Sequence, residues 1–376
     1  MNTPPSFCPH APVCSDCLLT TQISVVDRAA LFFEGVEGYR LVCGRGSGWR
    51  TRAKLAVRRQ RGELCCGLFR RGSHEVVSIP RCVAHHPKIN EALQVLSSLA
   101  PSQAYDERSG EGELRYVQLI VERSSGRVQL SFVLNLQNFE SSQVCEWERW
   151  AQDLFSREPG RWHSFWLNLQ PKPTNTIFGP QWKRICGELF VREQICGRTI
   201  PLLPSHFSQA NPEMFELLLT DLLQLLPAGQ KVVDLYGGMG VIGCVIAPKC
   251  RSVTIIERDE GSQEPFLEAK RFLPVGTDVS LVVGDVDREL DWLDGAATVV
   301  VDPPRKGLSA SVLEALRRGQ QISTLFYISC HFPTLERDVQ KLKDAGFSVS
   351  WARSYLFFPG TDQIETLVRF SRERSG

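Results

Sequence analysis

The chain is 376 residues long, and at roughly 150 residues per domain this length predicts two or three domains and excludes one small module. Hydrophobic residues make up 43% and charged residues 23%, with 29 Gly and 22 Pro, which excludes fibrous and disordered classes. The 43 Lys and Arg nearly balance 42 Asp and Glu, leaving a formal net charge of +1, so a polyanionic partner needs a local basic patch.

The first residues, Met-Asn-Thr-Pro-Pro-Ser, lack a signal-peptide layout, and no apolar run approaches the roughly 20 residues that cross a bilayer, so a cytoplasmic protein is expected. Residues 1–38 are read as a Cys cluster (Cys8, Cys14, Cys17) followed by an amphipathic helix over Ile23 to Val36. Residues 39–200 read as a β-rich central domain, with strands at Lys54 to Val57, Glu75 to Ile79, Tyr116 to Glu122, Val128 to Leu134 and Phe165 to Leu169. Between Arg45 and Arg71 the chain carries nine basic residues, Arg50, Arg52 and Lys54 among them, against the single acid Glu63. Such a patch suits phosphate contacts and salt-dependent RNA binding, with Trp49 and Phe69 placed to stack on unpaired bases.

After residue 200 the rhythm changes. Short buried strands (Lys231 to Leu235, Val253 to Ile256, Val279 to Val283, Thr298 to Val301, Thr324 to Ile328) alternate with helices (Pro212 to Leu226, Gly261 to Phe272, Ala310 to Arg318, Pro333 to Ala345). This pattern predicts a doubly wound, Rossmann-like α/β domain over 201–376. Phe347 to Phe357 and Ile364 to Phe370 leave no room for a crossover helix and read as an antiparallel edge pair.

The first strand of that domain runs into Asp234-Leu-Tyr236-Gly-Gly238-Met-Gly240, where glycines let the backbone approach a ligand at a helix N-terminus. The next strand ends in Glu257, about 20 residues on, where a carboxylate can hold both ribose hydroxyls of an adenosine. Asp234 suits the ammonium of a methionine moiety better than a pyrophosphate, which favours S-adenosylmethionine over NAD. Asp285, after the third strand, is placed to meet the adenine amino group. Strand four ends in Asp302-Pro-Pro-Arg305, whose prolines stiffen a loop at the sheet's carboxyl edge. Arg305 occupies the position where amino-methylating enzymes carry a stacking aromatic, which argues against that chemistry. Strand five ends in Ser329-Cys330-His331, with the thiol near a helix N-terminus that stabilises a thiolate.

Asp-Leu-Tyr-Gly-Gly-Met-Gly, Asp-Pro-Pro-Arg-Lys-Gly, Tyr-Ile-Ser-Cys-His-Phe-Pro-Thr-Leu-Glu-Arg-Asp and the late Phe-Phe-Pro-Gly-Thr-Asp-Gln-Ile-Glu-Thr-Leu, in this order, resemble the uracil-5 RNA methyltransferases. The resemblance implies S-adenosylmethionine-dependent formation of 5-methyluridine. It makes Cys330 the nucleophile and Glu365 the base, and Gln209 a cofactor contact. Asp302 is expected at the cofactor or the uracil, Arg305 at the uracil, and Arg115 at the RNA. The family usually has Asn at position 331, Cys at 237 and His at 363; this chain has His331, Gly237 and Gln363.

Thirteen cysteines are many for a reducing compartment, and Cys8-x5-Cys14-x2-Cys17 needs a fourth ligand, for which Cys82 is the candidate. Four thiolates suit zinc and an iron–sulfur cluster equally. The resemblance implies a [4Fe-4S] cluster. Only seven residues precede Cys8, so the β-barrel RNA-binding domain found in some relatives is not expected, and the shorter members acting on 23S ribosomal RNA are the better match. Transfer RNA as substrate, or a non-catalytic RNA-binding protein that keeps the fold, are the alternatives. No obligate protein partner and no membrane are expected.

Overall fold

A computed structural model describes residues 24–70 and 72–372; Cys8, Cys14, Cys17 and Arg71 lie outside the described residues. Helix α1 (Val25–Phe32) begins at Ser24, whose Oγ accepts from Asp27 N–H. Strand β1 (Leu41–Cys43) follows. Strands β2 (Arg52–Gln60), β3 (Glu63–Phe69), β4 (Val76–Ser78), β5 (Leu114–Val121), β6 (Val128–Leu134), β7 (Trp162–Leu169) and β8 (Gln181–Gly187) make one sheet, with α2 (Pro87–Leu93) and α3 (Ser142–Arg157) beside it. Its order is β4-β3-β2-β5-β6-β7-β8, antiparallel except for β6–β7. That parallel pair needs a crossover, which α3 supplies, a helix absent from the β-rich sequence reading. Trp147, Ala151 and Val144 of α3 pack with Leu55, Leu119, Phe132 and Phe165 in the core of this layer.

A hairpin, β9 (Val191–Ile195) and β10 (Arg198–Leu202), leads to α4 (Pro212–Leu225). Then come β11 (Lys231–Leu235), α5 (Val241–Ile246), β12 (Ser252–Glu257), α6 (Gln263–Lys270), β13 (Val279–Val283), β14 (Thr298–Val301), α7 (Ala310–Arg318), β15 (Thr324–Ser329), α8 (Phe332–Asp344), β16 (Ser348–Leu356) and β17 (Glu365–Ser371). Eight strands form a second sheet in the order β1-β16-β17-β15-β14-β11-β12-β13, with β11 to β15 parallel. Its two faces carry separate cores, one with Leu218, Val232, Ile255 and Phe326, the other with Val233, Val299, Leu325 and Val339. The Rossmann-like α/β fold expected from the sequence is present.

Two boundaries differ from the sequence reading. Leu41–Cys43 lies parallel to β16 and forms the sheet's edge, so residues 39–43 belong to the α/β sheet and the β16–β17 pair is internal. Val191, Ile195, Ile200 and Leu202 bury against α4 and α5, so the hairpin before residue 200 also packs on the α/β side. Both segments are short apolar runs whose partners are remote in sequence. Among the described residues no helix is long and apolar enough to cross a membrane.

Candidate active site

The carboxyl ends of β11, β12, β14 and β15 converge on one rim, the usual ligand edge of such sheets. After β11 the chain turns through Tyr236 (φ 63°), Gly238 (φ 53°) and Gly240 (φ 81°). The left-handed backbone suits glycine at 238 and 240 and is strained at Tyr236. A Cβ on Gly237 would lie 2.3 Å from Ile255 Cγ2, so the cysteine usual in the family cannot sit here unless Ile255 moves.

A cleft opens beside this turn, bounded by Arg52, Phe207, Ser208, Gln209, Gly238 and Asp302. Gln209, Tyr236, Gly238 and Asp302, four of the candidate cofactor contacts, all line it. Glu257 holds the turn: its Oε2 accepts from Gly238 N–H at 2.9 Å and its Oε1 from Asp259 N–H at 2.9 Å. Asp285 is exposed, and its Oδ1 accepts from Asp287 N–H at 3.0 Å, capping a short 3-10 turn at the end of β13.

Asp234 departs from expectation. Its side chain is fully buried behind Gly237 and Gly243, away from the cleft lining, with no side-chain partner and only the Gly243 backbone N–H near enough to favour its charge. Burial first, and then the charge of Asp302, pushes its pKa up to about 8. Asp302 is the carboxyl that opens on the cleft, and burial pushes it up to about 7. Two carboxyls without a counter-charge at a glycine turn favour a cationic ligand, and Glu257 at the neighbouring strand end suits a ribose. The residues present therefore fit S-adenosylmethionine.

Strands β15 and β17 pair in antiparallel register from Thr324↔Ser371 to Ser329↔Thr366. One step further, Cys330 and Glu365 face each other at the strand ends. Glu365 is buried, and burial, followed by the charge of Asp302, holds its carboxyl well above the usual range while Arg305 pulls it back. The Cys330 thiol is pushed up to about 11 by burial, then by Glu365 and Asp302, and Arg305 lowers it. Burial here outweighs the stabilisation that the sequence reading assigned to the helix N-terminus.

Helix α8 grips the loop that carries Arg305. Thr334 Oγ1 donates to Arg305 O at 2.8 Å, Arg337 Nη2 to Lys306 O at 2.7 Å, and Asp338 Oδ2 accepts from Leu308 N–H at 2.9 Å. Asp338 is itself fully buried and also accepts from Tyr327 Oη at 2.9 Å. No catalytic or binding signature of their own marks these residues in the sequence, although positions 334, 337 and 338 share one helix face by their spacing.

The basic segment is not one open patch. Arg52 is buried: its guanidinium donates to Gln118 Oε1 (2.9 and 3.1 Å), Ser208 Oγ (2.6 Å) and Pro204 O (3.1 Å), and burial lowers its pKa to about 10. It ties β2 to the loop carrying Gln209 and does not face solvent phosphates. Arg115 is buried as well, donating to Gln170 O and Lys172 O at 2.8 and 2.6 Å. Arg58 is buried among Phe69, Tyr105 and Tyr116. Arg45, Arg59 and Arg70 pair with Glu213, Asp106 and Glu75. Arg50 lies over the rings of Trp49 and Phe358, 4.9 and 5.3 Å from their centroids. Trp49 is buried against Phe358, which removes it as a base-stacking platform. Lys54 is exposed, 4.7 Å from the Phe178 ring, in a groove with Phe69, His74 and Tyr116. Desolvation there, then Arg52, lowers it to about 8.

Cys82 is half-buried against the core of the first sheet, and Asn90 Nδ2 donates to its carbonyl at 3.0 Å. Its three expected co-ligands lie outside the described residues, and among the described residues no cluster of three His, Cys, Asp or Glu could hold a metal ion.

The family described as tRNA (uracil-5-)-methyltransferase matches residues 289–373. An uncharacterized RNA methyltransferase of Protochlamydia amoebophila is 37% identical over 377 residues, covering 97% of each chain. Another, from Synechocystis, is 30% identical over 332 residues, covering 85% of this chain and 69% of the relative. Among solved structures, a Pyrococcus abyssi tRNA (uracil-54, C5)-methyltransferase bound to S-adenosyl-L-homocysteine superposes with a TM-score of 0.75 at 22% identity, covering 96% of this chain and 86% of that one, a likeness of fold. With its glycine turn, its Ser-Cys strand end and a relative matched along nearly its whole length, the chain belongs to the RNA uracil-5 methyltransferase family.

Proposed function

We propose that the protein methylates carbon 5 of a specific uridine in RNA through a covalent adduct with Cys330. The register that sets Cys330 opposite Glu365, beside Asp302 and Arg305, carries this reading. Carbon 5 of uracil is a weak nucleophile. The Cys330 thiolate adds to carbon 6, which makes carbon 5 an enolate carbon able to take a methyl group. S-adenosylmethionine, when bound, supplies that methyl as an electrophile on a sulfonium. Glu365 then removes the proton at carbon 5, and the C6–S bond breaks to return the thiolate. Arg305 would stabilise the enolate oxygen as charge develops, a role supported by the way its charge favours the Cys330 thiolate.

Gln209, Tyr236, Gly238, Glu257 and Asp302 would hold S-adenosylmethionine, with Asp302 taking the cation-facing role expected of Asp234. Asp285 would meet the adenine edge. Lys54 and Arg305 are the RNA contacts this reading keeps, with Arg50 at the loop before Glu365 as a third. The substrate proposed is ribosomal RNA, from the resemblance to the shorter family members; transfer RNA is the alternative, since it is named for the Pyrococcus protein of like fold. Cys8, Cys14, Cys17 and Cys82 are proposed as ligands of a [4Fe-4S] cluster.

The test is nucleoside analysis of fractionated ribosomal and transfer RNA after incubation with the protein and methyl-labelled S-adenosylmethionine. Label in 5-methyluridine of 23S RNA is expected. Label in transfer RNA alone would reassign the substrate, and label in another nucleoside would overturn the reaction.

A further inference from the structure

The carbonyl of Arg305 can only accept a hydrogen bond, so the Thr334 hydroxyl commits its proton to it at 2.8 Å. Thr334 Oγ1 also lies 2.7 Å from His331 Nδ1. With the hydroxyl proton already placed, Thr334 must accept there, and His331 must donate. The neutral imidazole is thereby fixed with its proton on Nδ1 and a lone pair on Nε2, a tautomer set by the second hydrogen bond. The result is a chain of two hydrogen bonds from the residue after the nucleophile to the backbone of the loop opposite.

We propose that His331 and Thr334 are positioning residues that set Arg305 against the Cys330–Glu365 pair, an inference that rests on the covalent reading above. The loop needs such a device. Pro303 and Pro304 stiffen its start, but Gly307 has φ 78° and lies against α8 so closely that a Cβ would come 2.4 Å from Thr334 Cγ2. Arg305 is exposed and long, while its charge acts on both the half-buried Cys330 and the buried Glu365. A small shift of its backbone changes where that charge falls. Arg337 and Asp338 hold Lys306 and Leu308, so Thr334 is the rung that fixes Arg305 itself.

The test compares Thr334→Val, which keeps the shape and removes both hydrogen bonds, with Thr334→Ser, which keeps them. Thr334→Val is expected to lower kcat/KM for RNA, and the rate of adduct formation on 5-fluorouridine RNA, by roughly 10- to 100-fold, the scale for small misplacements of catalytic groups. The KM for S-adenosylmethionine should not change, and Thr334→Ser should stay near wild type. In nitrogen-15 NMR, His331, assigned by loss of its signals in His331→Gln, should show a protonated Nδ1 and a bare Nε2 when neutral, and Thr334→Val should abolish that preference. Wild-type RNA kinetics in Thr334→Val, or a protonated Nε2 in the native protein, would overturn the proposal. A native protein that forms neither adduct nor product would instead overturn the covalent reading, and the NMR result still decides the hydrogen-bond chain.

Discussion

Cys330 and Glu365 occupy the first positions beyond Ser329↔Thr366, the last rung shared by β15 and β17, so the proposed nucleophile and base meet because two antiparallel strands end together. On its other side Glu365 pairs with Tyr355 of β16, which holds the carboxyl between two strands. That burial raises the proton affinity of Glu365, as a base working near neutral pH requires.

Glu365→Gln keeps size and polarity but cannot take the proton from carbon 5. Turnover should fall by about 10²- to 10⁴-fold, the usual worth of a positioned base. The Cys330 adduct should then accumulate on ordinary uridine RNA as a denaturation-resistant band. Wild-type turnover in this variant would remove Glu365 from the mechanism.

The buried Asp234 makes stability depend on pH. Its folded pKa of about 8 lies above the ordinary 3.8, so the folded state binds the extra proton between those values. The contribution of this group to the stability of the cofactor-free protein is therefore full below about pH 4 and is lost as pH rises through about 8, with a slope of at most ~1.4 kcal/mol per pH unit. Asp234→Asn should flatten that decline and raise the melting temperature at pH 8. Parallel pH curves for the two proteins would contradict the assignment.

Arg52 and Lys54 lie two residues apart on one strand and should behave differently. Lys54→Gln should weaken RNA binding and lower its salt slope by about 1, as loss of one phosphate contact does. Arg52→Gln should leave the slope unchanged, weaken S-adenosylmethionine binding and lower stability by about 1.5–3 kcal/mol, because charged hydrogen bonds to Ser208 and Pro204 are lost. Equal salt slopes would return Arg52 to the RNA surface.

Anaerobically purified protein should be brown and contain iron, and Cys82→Ala should lose both. Colourless protein with one zinc would replace the cluster by a structural zinc site.

The parallel sheet was the most legible part of the sequence. Val279–Val283, Thr298–Val301 and Ala310–Arg318 match their sequence-read limits, because short β-branched runs and a Ser309 cap leave little ambiguity. Strand β3 was hidden by its Cys-Cys-Gly centre, and β1 by its three-residue length and remote partner β16. Cys330, Glu365 and the glycine turn stood out by motif and order. The basic segment misled because charge alone does not say which face of β2 is covered. Arg52 and Arg58 project into interfaces built by Pro204, Ser208 and Tyr105, residues 47 to 156 positions away along the chain.

The covalent step at Cys330 is tested most directly with RNA carrying 5-fluorouridine at the target site and S-adenosylmethionine. In the proposed mechanism Cys330 adds to carbon 6, carbon 5 takes the methyl group, and fluorine cannot leave as a proton would. The protein should remain bound to methylated RNA through denaturing electrophoresis, and Cys330→Ala should give no such complex and no 5-methyluridine from ordinary RNA. Methylation persisting in Cys330→Ala, or a native enzyme that turns over uridine yet never traps the fluorinated RNA, would contradict the account.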